Sequence, residues 1–582
     1  MKSSISVSLR PSFLAIAATS LSLSAAFPAL AQTASQIVQP SYAPPVMRSV
    51  EGGIVLPEGG GVEAPAGAAG LKVKPSGLAV SGSLPGMEAA TAEIEARLKG
   101  KRVTGADLFA AAADLEAAYG RAGYLLVRVS LPPQTLRDGQ PLKLVVTDGY
   151  VEAIDVSALP EQARKRIEAV LAPLVDQRGL TRGALERRLL LAGDIPGVML
   201  RSTLKAGTTP GATVIVVDGR YDAVTGQLFA DNGLSDGLGR YSVGVGADFN
   251  NLLGLGEVAY VRLTGYPGSN DSIFSSDPRN RQVVAGFTLP ITTDGLWFGM
   301  EGVDSRTHPT SDFGYTMVDH YQRLSTRLGY SWVRSRDFNT SSVISFDIAD
   351  EEQTIDLGGL RSDWSEDRTR MLRLTQKGDA YLPWGAVLSG EATLSFGLDA
   401  FGARNGTLVL PLSRDGAEPD FTKLEVSGRY SQSLLEDRLQ LSVSGKAQTS
   451  FGDPLVSSEQ MGLGGFDWLS AYGSGEIEGD TGAAFRAELS MPMAFPQLEE
   501  YKTLGSVVSP YAFAAAGIAR LEQASAVEDD VTRAASFGAG VRFGLSEKAS
   551  PFSSSLSMEY AHGAASGTNG EDRFNIRFTA TF

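Results

Sequence analysis

The spacing of apolar positions changes partway along the chain. Up to about residue 218, apolar residues recur at helical spacing between short apolar runs. In VTGADLFAAAADLEAAYGRAG, Leu108, Ala112, Leu115 and Tyr119 fall on one face. Thr104 is placed to cap this helix, Asp107 stands in its first turn, and Gly120 or Gly123 ends it. YLLVRVSL, Tyr124 to Leu131, alternates as a strand; Pro132-Pro133 stops it, and LKLVVTDG from Leu142 is the next. With strand-like LKVKPSGLAV and helix-like MEAATAEIEARLKG before them, residues 71–150 read strand, helix, helix, strand, strand. Residues 151–218 repeat that order: VEAIDV, a helix opening at Pro160, a helix capped by Thr181, then PGVMLRSTL and ATVIVVDG. The pattern predicts two α+β modules related as an internal repeat.

From residue 219 to 582 the period is two. YSVGVGADF sets Tyr241, Val243, Val245, Ala247 and Phe249 against Ser242, Gly244, Gly246 and Asp248. KLEVSGRY, LQLSVSGKA and SLSMEYA alternate in the same way, with Lys423, Glu425, Arg429 and Glu559 on the polar face. The terminal RFNIRFTATF sets Phe574, Ile576, Phe578, Ala580 and Phe582 against Arg573, Asn575, Arg577, Thr579 and Thr581. Charged residues at many polar positions, long polar connectors such as Gly265 to Arg279, and an aromatic ending the last strand predict a transmembrane antiparallel β-barrel. At about 10 residues per spanning strand plus turns, the segment has room for about 16 strands.

Ahead of both regions, Lys2 and Arg10 flank a short apolar run from Phe13 to Leu23, and Ala29-Leu30-Ala31 is a small-x-small processing site. Residues 1–31 therefore read as a signal peptide, with Gln32 the first mature residue. Residues 32–70 are rich in Pro and Gly and read as a linker. No later segment reaches the length of a spanning helix.

Composition removes several classes of chemistry. The net charge of -15 argues against a nucleic-acid binder. With no cysteine and three scattered histidines, His308, His320 and His562, no thiolate or helical His metal site is expected, and no cofactor. The glycine-rich stretch LGGFDWLSAYGSGEIEGDTG, residues 463–482, lacks the phosphate-cradle spacing and any basic residue. Asp231-Asn232-Gly233 with Asp236 lacks EF-hand spacing and reads as a strand turn. Glu351, Glu352 and Asp356 read as a polar connector, and no G-x-S-x-G supports a hydrolase; no enzyme activity is expected.

Several long runs carry a family resemblance. Residues 106–156, ADLFAAAADLEAAYGRAGYLLVRVSLPPQTLRDGQPLKLVVTDGYVEAIDV, are similar to the first POTRA domain of two-partner-secretion outer-membrane transporters, the TpsB (ShlB/FhaC/HecB-like haemolysin secretion/activation) family of the BamA-type superfamily. LERRLLLAGDIPGVMLRSTLKAGTTPGAT resembles the second POTRA domain, and GQLFADNGLSDGLGRYSVGVGADFNNLLGLGE resembles the start of the barrel. The resemblance implies that residues 463–482 fold back into the lumen. Leu463, Gly464, Gly465, Tyr472, Gly475, Glu476, Gly479, Asp480 and Gly482 match the family's loop pattern. At the tip the family has V-R-G-Y where this chain has Leu469-Ser470-Ala471-Tyr472, and the wall strand reads Phe513-Ala514-Ala515-Ala516-Gly517, with Ala515 at the family's aspartate. Both halves of the family's ion pair are absent together, which is far less costly than losing one. The expectation is that backbone turns, Tyr472 and Glu476 hold the loop, facing Phe513, Ala515 and Gly517.

The resemblance further implies a periplasmic client site, placed at Leu108, Leu115, Tyr119, Leu125 and Val127 in the groove between helix and strand. It implies a secreted, β-helical, TpsA-like exoprotein as partner, a surround of outer-membrane lipid and lipopolysaccharide, insertion by the barrel-assembly machinery, and a monomer. The family's N-terminal plug helix fits poorly in so Pro/Gly-rich a segment. The expectation is therefore that it is missing or very short and that deleting Gln32 to Gly70 leaves conductance unchanged. Two other readings share this architecture: an outer-membrane assembly or surface-export factor, and a passive porin-like barrel.

Overall fold

The computed structural model describes residues 32–38, 64–310, 315–495, 504–526, 528–547, 550–566 and 570–582. The signal peptide and residues 39–63 of the expected linker lie outside them.

The first module holds β1 (Lys72–Val73), β2 (Leu78–Ser81), α1 (Glu88–Leu98), β3 (Val103–Thr104), α2 (Gly105–Arg121), β4 (Arg128–Ser130) and β5 (Leu142–Thr147). Thr104 and Asp107 form a reciprocal capping box at the start of α2. The second module holds β6 (Tyr150–Asp155), α3 (Glu161–Leu171), α4 (Arg182–Gly193), β7 (Val198–Ala206) and β8 (Ala212–Tyr221). The two sheets have the same topology. In each, the first strand runs parallel to the last, and the middle strand pairs antiparallel with that last strand: β2-β5-β4 and β6-β8-β7.

This topology corrects the expected client groove. Leu108, Leu115 and Tyr119 form the inner stripe of α2, and with Val127 they are buried in the core of the first module. Leu125 packs against the core of the second. A stripe at helical spacing seeks the sheet beneath it before any ligand.

The barrel strands are β9 (Val224–Asp231), β10 (Ser242–Asn250), β11 (Val258–Gly265), β12 (Asn280–Pro290), β13 (Leu296–Thr307), β14 (Thr316–Arg334), β15 (Phe338–Asp356), β16 (Arg361–Tyr381), β17 (Val387–Gly397), β18 (Thr422–Leu434) and β19 (Leu439–Thr449). A short hairpin, β20 (Met461–Gly462) and β21 (Glu478–Gly479), precedes β22 (Thr481–Ser490) and the fragment β23 (Met493–Ala494). The last strands are β24 (Leu504–Arg520), β25 (Val531–Glu547), β26 (Ser553–Ala565) and β27 (Glu571–Thr581). β22 and β23 both pair with β24, so they act as one position in a closed antiparallel barrel of sixteen strands, sealed by β27 against β9.

Polarity is inverted relative to a soluble protein. Tyr241, Val245, Phe574 and Tyr560 are exposed on the outer face, while Ser242, Asp248, Arg573, Asn575 and Glu559 are enclosed. Glu351, Glu352 and Asp356, expected in a connector, belong to β15 instead. The segment alternates poorly because β15 runs 19 residues, about twice a membrane crossing, so its outer half does not face lipid.

The second module closes against one end of the barrel. Arg166 and Arg188 donate to the carbonyls of Thr292 and Thr293 (2.6 and 2.9 Å), and Arg187 to those of Asp294 and Ser331 (2.9 and 2.8 Å). Arg334 and Arg336 pair with Asp194 and Glu186 on the module (2.7 and 3.0 Å). These contacts hold the module at the tight strand turns. The long connectors lie at the other end.

Candidate functional site

Two segments occupy the lumen near the end remote from the modules. The larger is residues 463–482. It folds on itself first: Leu463 N–H donates to the carbonyl of Ile477 (2.8 Å), Gly465 to Tyr472 (2.9 Å), and Tyr472 to Leu469 (3.0 Å). A Cβ on Gly464 would lie 1.9 Å from the carbonyl oxygen of Gly473, so this crossing needs a glycine. Glu476 accepts from the Gly473 N–H (2.6 Å) and closes its own turn; it is exposed.

The loop meets the wall through a dry face. Leu463, Leu469, Ala471, Tyr472 and Ile477 pack on Ala484, Phe513, Ala515, Ala519, Ala534 and Ala561. Small wall residues allow the approach: a Cβ on Gly517 would come 3.0 Å from Leu463, and one on Gly563 2.7 Å from Ala471. Ala515 is therefore part of an apolar pad. The Tyr472 ring is buried there and its hydroxyl has no hydrogen-bond partner, so it holds by packing.

The polar half of the attachment was not legible in advance. Arg486 on β22 is the direct cross-strand partner of Ala515. Its guanidinium pairs with Glu559 (2.6 Å), lies 3.8 Å over the Phe513 ring, and donates to Ser470 Oγ (3.1 Å) and the Trp468 carbonyl (3.3 Å). Asn575 Nδ2 donates to the Ser470 carbonyl (2.7 Å), and Ala471 N–H donates to Ser536 Oγ (3.1 Å). The arginine and its acidic partner are both on the wall, and the small polar residue is on the loop. An arginine fork suits this task because it can serve a carboxylate, a hydroxyl and a carbonyl together.

Asp480, fully buried, fixes the root of the loop. Its carboxylate accepts N–H groups of Leu455 (3.0 Å) and Glu522 (2.7 Å) and the Gln460 amide (2.9 Å), and Arg414 stands 3.7 Å away. Gly479 packs beside Arg520 where a Cβ would sit 2.8 Å from main-chain atoms. Gly475 has positive φ and lies against Gln32 and Gln36.

Those two glutamines belong to the second occupant. Residues 32–38, expected as linker, form a turn inside the barrel. Ala34 is buried among Tyr321, Ala349, Met371, Phe421 and Leu455, and Val38 packs on Tyr260, Val284 and Val303. Ser305 Oγ donates to the Ala34 carbonyl (2.7 Å) and Ser35 N–H to Glu351 (3.2 Å). On its other side the turn meets the loop and its neighbour: Gln36 bonds Glu478, and Ser235 N–H donates to Gln32 Oε1 (3.1 Å). The turn thus bridges loop and opposite wall. Pro and Gly forbid a long helix in this segment, and they leave a short turn free to bury itself.

A closed barrel with polar lumen, a folded-in loop and α+β modules at one mouth defines the class: an outer-membrane transporter with periplasmic POTRA domains. Comparisons with known proteins give the family. A profile described as haemolysin secretion/activation protein ShlB/FhaC/HecB matches residues 211–543, and one for the ShlB-type POTRA domain matches residues 75–149. The chain belongs to this family of two-partner-secretion transporters, which translocate a partner exoprotein across the outer membrane. It is 22% identical over 459 residues, 76% of each chain, to the Heme/hemopexin transporter protein HuxB of Haemophilus influenzae (strain 86-028NP). It is 23% identical over 378 residues, 64% of each chain, to the outer membrane transporter CdiB of Dickeya dadantii (strain 3937). The solved structure of CdiB from Escherichia coli matches with a TM-score of 0.68 over 100% of both chains at 19% identity. CdiB from Acinetobacter baumannii matches at 0.59 over 98% of this chain and 97% of that one, at 15% identity.

Proposed function

We propose that the POTRA modules take one large, unfolded exoprotein in the periplasm and feed it through the lumen after both occupants move aside. The observation that carries this reading is the mode of occupancy. Residues 463–479 and the N-terminal turn are not strands of the wall; past the root, where Asp480 N–H donates to the Arg520 carbonyl (2.9 Å), they meet the wall mainly through side-chain bonds and small apolar pads that can part without breaking the barrel ladder. The resting pore is thus closed by removable parts. Client folding outside supplies the driving force.

Client capture belongs to free sheet edges rather than to the buried stripe of α2. β2 pairs on one side with β5, and β7 on one side with β8, so extended peptide can add there, whereas the Val129 N–H of β4 is already taken by Glu116 (2.8 Å). The exposed apolar belt suits a monomer surrounded by outer-membrane lipid and lipopolysaccharide, inserted by the barrel-assembly machinery. The client is a β-helical exoprotein, and the chain has no enzymatic step of its own. Deleting the gene and comparing secreted and surface proteins tests the reading: loss of one large exoprotein is expected. Broad loss of outer-membrane proteins would indicate an assembly factor, and no loss a passive barrel.

A further inference from the structure

The wall facing the N-terminal turn holds three carboxyl groups, Asp319 on β14, Glu351 on β15 and Asp367 on β16, exposed by 3%, 2% and 2%. Glu351 and Asp367 are direct cross-strand partners, and Asp319 stands opposite Gln353, two residues from Glu351. Like charges placed opposite one another in a sheet repel, and burial sharpens the cost. Their hydrogen bonds come from neutral groups and from one another: Asp319 accepts from the Gln353 amide (3.2 Å) and shares a further side-chain hydrogen bond with Glu351, Glu351 accepts from Ser35 N–H (3.2 Å) and the Ser35 hydroxyl, and Asp367 from Ser413 N–H (2.8 Å) and the Ser413 hydroxyl. Their other oxygens, Asp319 Oδ1, Glu351 Oε2 and Asp367 Oδ2, have no hydrogen-bond partner. Among the described residues no Lys, Arg or His side chain reaches ion-pair distance of any of the three. Elsewhere in the same lumen buried carboxylates are matched: Glu559 by Arg486, and Glu459 by Arg373 and Lys423.

The occupant of this acidic pocket is already in place. Ser35 bonds Glu351, and Ala34 N–H is directed at Asp319. Thr307 Oγ1 donates to the carbonyl of Gln32 (3.4 Å), and Thr307 is the direct cross-strand neighbour of Asp319. Gln32 itself is buried. It precedes Ala34 by two residues, so its main-chain nitrogen lies within about 8 Å of the nitrogen aimed at Asp319. Gln32 is also the residue that follows Ala29-Leu30-Ala31. It sits at the barrel end remote from the modules, whereas a signal peptide is cut on the periplasmic side.

We propose that the missing cation is the chain's own α-ammonium group, created at Gln32 by signal-peptide cleavage, so that processing makes the charge that seats the turn in the acidic pocket. The amine is protonated near neutral pH, and its charge is what the three buried carboxyl groups lack. The inference rests on residues 32–38 acting as a removable plug, and it adds what recognises them.

The test uses the full mature barrel in planar bilayers. Mass analysis of the purified protein is expected to show a free amino terminus at Gln32; another start, or a cyclised pyroglutamyl start, overturns the proposal. The α-amine titrates about two units below lysine, so the unfolded chain can be modified there selectively and refolded. Reductive dimethylation keeps the charge, and acetylation removes it. Acetylated barrels are expected to open at least about tenfold more often than dimethylated or untreated ones, the size of shift one lost charge contact of about 1.4 kcal/mol produces. Equal behaviour of the two modified forms overturns the proposal. In a Glu351→Gln/Asp367→Asn barrel the difference between them is expected to vanish; a difference that persists also overturns it. Deleting residues 32–38 separates this inference from the plug reading: if deletion leaves the pore closed, the plug reading fails. If deletion opens it while acetylation does not, only the ammonium assignment fails.

Discussion

The lumen has two unlike walls. The side formed by β22 and β24 to β26 is small and dry, with Ala515, Ala519, Ala534, Ala561, Gly517 and Gly563 under the loop and one arginine threading through. The side formed by β13 to β16 is acidic and hydrogen-bonding, with Ser305, Asp319, Glu351 and Asp367 around the N-terminal turn. Both sides obey the same inward/outward alternation. The difference teaches that alternation sets which face a residue takes, while residue size and charge decide what that face can hold. Removing a large side chain makes a seat for an apolar loop, and gathering carboxylates makes one for N–H donors.

The comparison can be broken most severely at Arg486. Arg486→Gln leaves Glu559 buried with its guanidinium partner gone, for an expected cost of about 3–5 kcal/mol, and releases Ser470 and Trp468. Lower heat resistance of the folded barrel in electrophoresis and a leaky pore are the expected readouts. Unchanged values would mean that the arginine does not hold the loop.

Next in size is the dry pad. Gly563→Val drives a side chain into Ala471 and Tyr472, with an overpacking cost of about 1–3 kcal/mol, and is expected to raise conductance while the barrel still folds. The same substitution at an outward-facing position should do neither.

Charge at the tip sharpens the contrast. Ser470→Arg sets a second guanidinium against Arg486 and is expected to impair secretion. Adding Ala515→Asp, beside Arg486 in register, is expected to recover part of the loss. A double variant no better than the single would show that the two positions do not communicate.

On the opposite wall, deleting residues 32–38 is expected to raise conductance, with a smaller effect on barrel stability than Arg486→Gln. This reverses the expectation formed when the whole segment read as linker, because part of it is seated in the lumen.

The smallest effect concerns the modules. Hydrogen bonds from Thr104 hold the Asp107 carboxyl below its ordinary value, and Thr208 and Ser157 do the same for Glu152 and Asp155. Groups depressed in the fold add stability above their unfolded values, near pH 4, and lose it as pH falls through the folded ones. The isolated effect of Thr104→Ala on module unfolding should therefore be largest near neutral pH and fade in acid.

Sequence alone determined a good deal. The switch from helical spacing to alternation separated modules from barrel, and the repeated element order gave two sheets of one topology. The glycines in residues 463–482 mark a loop that folds on itself, since those positions satisfy local turns and crossings. The client stripe at Leu108, Leu115 and Tyr119 was misjudged because helical spacing reports a buried face without saying what buries it.

Only the tertiary structure decided who meets whom across the lumen. Arg486 and Glu559 are far apart in sequence, as are Asp319, Glu351 and Asp367, and it is strand register, within a barrel closed by its last strand against its first, that brings each set together. The place of residues 32–38 depends on the same closure, for a short polar turn carries no periodicity to announce that it will be buried. Local pattern follows from what each residue can do by itself; the latch and the acidic seat follow from distances set by the register of neighbouring strands.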